Sequence, residues 1–191
     1  MKKMGKKFAA LALFALVTGR APADILTPGM DAAESLVEIT SLKTQNGFSA
    51  QFWMTTDEQI FTSWAKTGEI PGLKPSLELK RNTPIYLALF MANPGVRKVV
   101  NAKSKKGNLS SDVTFDLYIV SPGGVLSLAT RKRVGWKGAP PSPGLVFLAK
   151  DRGVLDFEAI DPLGEYTIVL VVHDNIRKTD MKLTRRLALV D

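Results

Sequence analysis

The sequence predicts an all-β protein, an antiparallel sandwich with one short helix after an early strand, on three observations. Apolar and polar residues alternate with a period of two from Phe48, short β-rich runs recur down the chain, and Pro, Gly and Asn clusters separate those runs. Many short strands broken by turn signals, with little helix between them, favour sheets packed face to face over parallel strand–helix units.

Phe48, Ala50, Phe52 and Met54 alternate with Ser49, Gln51, Trp53 and Thr55, which lays one apolar row on a core face. Upstream, residues 36–43 alternate less cleanly and follow a stretch, 30–34, able to form a helical turn. Residues 24–47 therefore read as an N-terminal extension able to supply an edge strand, and 48–191 as the sandwich domain. Thr56 or Asp57 can cap a helix in which Ile60, Phe61 and Trp64 share one face, with Gly68 and Pro71 to stop it. Strands follow over 77–80, 85–91, 113–121, 125–131, 145–149, 154–158, 167–173 and 182–190. In the last of these Met181, Leu183, Leu187 and Leu189 form an inward row that Arg185 interrupts. Asp161-Pro162-Leu163-Gly164 leads into Tyr166 just before an apolar strand. That is the arrangement of a tyrosine corner, which makes the expected sandwich immunoglobulin-like.

Residues 1–23 read as a cleavable secretory signal: Lys2, Lys3, Lys6 and Lys7, then an apolar run from Phe8 to Val17, then Ala21-Pro22-Ala23. The run is too short to span a bilayer, which takes about 20 apolar residues, and no later stretch approaches that length. Processing is expected between Ala23 and Asp24, because Pro22 would stand at the bond after Ala21. The mature chain is then expected to be periplasmic or secreted, with no stable membrane span. Residues 1–23 hold five basic side chains (those four lysines and Arg20) and no acid, so of the formal charge of +8 only +3 stays on the remaining 168 residues. Export and mild charge together argue against a nucleic-acid partner.

The sequence has no cysteine and a single histidine, His173. Stability is expected to come from packing, and cysteine nucleophiles, thiolate metal sites and multi-histidine zinc sites are excluded by composition. No Gly-x-Ser-x-Gly elbow accompanies His173. The reading is of a non-catalytic protein without cofactor or metal. Asp151, Asp156, Glu158, Asp161 and Asp174 offer oxygens that calcium could use, but no calcium-loop spacing joins them.

Two groups of residues are candidate binding elements. Lys103, Lys105 and Lys106, in a loop that also holds Arg97 and Lys98, and Arg131, Lys132 and Arg133 would form an anion-binding patch if folding unites them; otherwise they are ordinary solvated charges that guard strand edges. Trp53, pointing away from the Phe48 row, and Trp136, between Gly135 and Gly138, are candidate sugar-stacking platforms, set against the burial usual for tryptophan; Trp64 reads as core. The expected partner is an envelope protein or component, with a carbohydrate-binding or polysaccharide-accessory role as the alternative.

Five motifs are shared with a known group: Asp57-x-x-x-Phe61-x-x-Trp64; Arg81-x-x-Pro84-Ile85; Val113-x-Phe115-Asp116 leading into Pro122-Gly123-Gly124; Trp136-x-Gly138-x-Pro140; and Asp161-Pro162-Leu163-Gly164-x-Tyr166 with Asp174. Together, over residues 48–190, they resemble an uncharacterised group of small exported proteins of Gram-negative bacteria. The shared positions are turn and core residues, so the resemblance implies a fold and no particular activity.

Overall fold

A computed structural model describes residues 41–67, 76–100 and 107–191. Within them the elements run β1 (Leu42–Gln45), β2 (Phe48–Thr55), α1 (Gln59–Thr67), β3 (Glu78–Lys80), β4 (Ile85–Ala92), β5 (Arg97–Val100), β6 (Gly107–Val120), β7 (Leu126–Gly138), β8 (Val146–Leu148), β9 (Gly153–Leu155), β10 (Gly164–Asp174) and β11 (Thr179–Val190). The signal segment, Gly68 and Pro71 lie outside the described residues.

One sheet is ordered β1-β2-β4, with β8 and β9 end to end along the far edge of β4, opposite Phe90 to Ala92 and Ile85 to Leu87. The other is ordered β3-β11-β10-β6, with β7 on the remaining edge of β6 and β5 pairing only with the first four residues of β6. The all-β architecture of two sheets and one short helix is thus as the sequence predicts, with four differences. First, β3 runs parallel to β11, not antiparallel. The chain reaches β3 through α1, so no tight turn fixes its direction. Second, the early edge strand among the described residues is β1, which overlaps the end of the expected 36–43, continues to Gln45 and turns into β2 through Asn46-Gly47, both at positive φ; residues 36–40 lie outside the described residues. A turn of this kind matches the twist of a hairpin, so residues 42–47 supply an edge strand and its turn. Third, 97–100 is a strand where a loop was expected. Fourth, β7 continues past Arg131 to Gly138, carried through register shifts by Lys132 at positive φ.

The core lies between the sheets. Phe48, Phe52, Met54, Leu89 and Met91 from the first sheet meet Val113, Phe115, Leu170, Met181, Leu183 and Leu187 from the second, all buried. The Phe48–Met54 row and the Met181–Leu189 row face inward as their alternation requires. Arg185 crosses from β11 to the edge of β2, where its Nε donates to the Phe52 carbonyl at 3.1 Å; burial lowers its pKa. A backbone acceptor of β2 is engaged by a side chain of the facing sheet in this way. Asp57 caps α1 by accepting from Gln59 N at 2.8 Å. The apolar face of the helix, Ile60, Phe61 and Trp64, covers the outer side of β4 over Ala88 and Phe90.

Two polar ties fix the sandwich ends. Tyr166 Oη donates to the Pro162 carbonyl at 2.8 Å, the bond expected of a tyrosine corner. Burial, reinforced by the Asp161 carboxylate, pushes the phenol up to about 12 from 10.0. A raised folded-state pKa gives stability that is intact below pH 10 and lost as pH climbs toward 12, by roughly 2–3 kcal/mol at full ionisation of the unfolded chain. Tyr166→Phe is expected to cost about 1 kcal/mol at neutral pH through the lost hydrogen bond. Denaturant titrations of the two proteins between pH 9 and 12 should also show a shallower alkaline decline for the variant; parallel declines would refute that origin. At the other end, Asp174 is 1% exposed and accepts from Gly95 N at 2.6 Å and from Ile176 N and Arg177 N at 3.0 Å each.

Candidate functional site

The residues singled out by sequence fall in three places. Trp53 stands opposite Ala88 on the outer side of the first sheet, but that side is roofed by α1, so the ring packs against the cluster of Ile60, Phe61, Ala88 and Phe90. The Arg185 guanidinium lies 5.1 Å from its centroid. Trp136 is half-buried against the main core. It meets Phe147 edge-on at 5.0 Å, donates through Nε1 to the Ala139 carbonyl at 2.8 Å, and carries Lys150 Nζ 4.5 Å from its centroid. Both indoles are therefore engaged by protein groups at the places where a sugar would stack.

The basic stretch of β7 is interleaved with carboxylates from other elements. Asp116 of β6 accepts from Lys132 N at 2.6 Å and stands 3.8 Å from Arg131 Nε and 3.6 Å from His173 Nε2. Asp151 accepts from Val134 N at 2.9 Å and lies 3.4 Å from Arg133 Nε. His173 Nδ1 meets Asp180 at 2.8 Å across β10 and β11. These contacts set Arg131 and Arg133 beside carboxylates around the bulge of β7, where Lys132 is tied through its backbone N–H. The bonds to Lys132 N and Val134 N join residues 16 and 17 positions apart, a pairing that alternation along one strand does not reveal.

Of the first basic group, Arg97 and Lys98 lie among the described residues, and they stand away from the second group. Arg97 is opposite Ser110 and Arg133 opposite Phe115, five residues along β6, or about 17 Å at the usual strand rise. Lys103, Lys105 and Lys106 lie outside the described residues.

β5 and the start of β6 make a two-stranded arm. Its pairs are Arg97 with Ser110, Lys98 with Leu109, Val99 with Asn108 and Val100 with Gly107. Every side chain of β5 is exposed, and so is Leu109. The missed signal was Val99-Val100 beside Arg97-Lys98, a β-branched pair in a charged setting.

Of the acids considered for calcium, Asp161 and Asp174 serve as turn acceptors: Asp161 takes Glu158 N at 2.7 Å, and Asp174 the three N–H groups above. Among the described residues no group of three or more His, Asp or Glu side chains is gathered to hold a metal ion, and no helix is long and apolar enough to cross a membrane.

No protein-family model matches the chain, and no curated protein does. Among solved structures, one similar chain is a Niemann-Pick type C2 protein from the Japanese carpenter ant, at 8% identity and a TM-score of 0.42, covering 80% of this chain and 94% of that one. Another is a family 123 glycoside hydrolase from Clostridium perfringens, at 7% identity and a TM-score of 0.42, covering 74% of this chain; this chain spans only 27% of that enzyme.

Proposed function

We propose that this is an exported, non-catalytic β-sandwich protein that works in the periplasm or outside the cell by binding a protein or an envelope component. The observation that carries the binding reading is the β5–β6 arm, which presents basic and aliphatic side chains to solvent with no structural use for them inside the fold. We further assign the fold to the immunoglobulin-like class. Its support is a sheet in which β6, β10 and β11 take the C, F and G positions with β7 as C′, and the Tyr166 bond at the start of the F-position strand. The carbohydrate reading ranks behind, because Trp53 and Trp136 are occupied by packing.

Expression of the full chain in a Gram-negative host, with fractionation and intact-mass measurement, tests the export half. The expected product is a periplasmic or secreted protein beginning at Asp24; full-length protein held in the cytoplasm would overturn it. Sedimentation with washed envelopes of that host tests the binding half, and protein that stays wholly in the supernatant would end it.

A further inference from the structure

The arm carries aliphatic side chains on both of its faces. Pairing places Val99 and Asn108 on the Arg97 side, and Val100, Leu109 and Gly107 on the Lys98 side. Val99, Val100 and Leu109 are 43%, 61% and 57% exposed, and Val96 at the base is 46% exposed. A flat protein partner would cover one face of such a ribbon, and an added strand would cover only an edge. Burial of both faces calls for a medium that surrounds it.

Charge says which medium. Arg97 and Lys98 point to opposite sides, and from Gly95 through Ser111 the sequence contains no acid. The first acid beyond, Asp112, is held by Asn175 Nδ2 at 3.0 Å. Bases mixed with aliphatics, on an element free of compensating carboxylates, suit the headgroup layer of an anionic bilayer, where each base gains from surface potential and each aliphatic from the acyl boundary. Among the described residues no strand pairs with the outer edge of β5, so the ribbon belongs at the hydrated interface and not in the hydrocarbon. Resting on the reading of an envelope-binding protein, we infer that the β5–β6 arm is a docking element for anionic phospholipid surfaces, with Val99, Val100 and Leu109 entering the interface and Arg97 and Lys98 engaging headgroups.

The folded protein recovered from the producing host is sedimented with phosphatidylcholine vesicles and with vesicles containing one-quarter phosphatidylglycerol. Binding is expected only to the anionic vesicles. Arg97→Glu with Lys98→Glu should weaken it at least about tenfold, and Val100→Ser with Leu109→Ser at least about tenfold as well, given the usual gain per base and per buried methylene. Thermal unfolding of these variants should match the parent, since the changed side chains are exposed. Val100→Trp should show a blue-shifted emission on anionic vesicles. Envelope binding without vesicle binding would assign the arm to a protein or glycan and overturn the lipid inference while leaving the broader reading in place. Vesicle binding that ignores the arm variants, or an unshifted Val100→Trp emission, would overturn it as well.

Discussion

Asp174→Ala is expected to be one of the two most damaging single substitutions in the described fold, lowering unfolding free energy by about 3 kcal/mol or more. The carboxylate is buried and gathers Gly95 N, Ile176 N and Arg177 N, so removing it orphans donors from two segments at once. Each buried donor left without a partner costs about 1–3 kcal/mol. In a domain of this size the melting temperature should fall by roughly 10 °C, measured by circular dichroism. Asp174→Asn retains one acceptor oxygen and should recover part of the loss. Gly95→Ala should also destabilise, because a Cβ there would stand 2.6 Å from Asp174 Oδ1. An alanine variant at 174 that melts with the parent would show the turn to be held by other contacts.

Phe52→Ala is the second, with an expected cost of about 3–5 kcal/mol, the usual range for removing a fully buried ring from a core that cannot collapse around the gap. Phe52 has no exposed surface and lies within the cluster that joins the two sheets. The Arg185 bond reaches the backbone carbonyl of Phe52 and not its ring, so that tie survives the substitution and the loss measures packing alone. Chemical denaturation should show a lower midpoint with an unchanged slope. A changed slope would mean that the variant had lost the two-state fold instead.

Legibility from sequence followed how local the determining physics was. The β2 alternation, the Asp57 cap and the Tyr166 corner each depend on residues a few positions apart, and each appears where the pattern puts it. The Asn46-Gly47 hairpin is equally local, but the strand before it has all four side chains exposed and so carries no apolar alternation to mark it. What could not be read is non-local. Nothing near Trp53 announces that α1 will roof its side of the sheet, and nothing near Arg131 announces Asp116 as its neighbour. The parallel pairing of β3 with β11 joins residues more than a hundred positions apart. β5 escaped for another reason: with all four side chains in solvent it shows no burial pattern to detect.

That long-range pairing has a consequence for how the molecule comes into being. β11 supplies Met181, Leu183, Leu187 and Leu189 to the core, holds β3 on one side and β10 on the other, and sends Arg185 to β2. Strands that close such long loops form late and slowly. A chain emerging N-terminus first, from a ribosome or through a narrow channel, therefore has no closed core until β11 arrives. The topology itself keeps the nascent sandwich open until that strand is made.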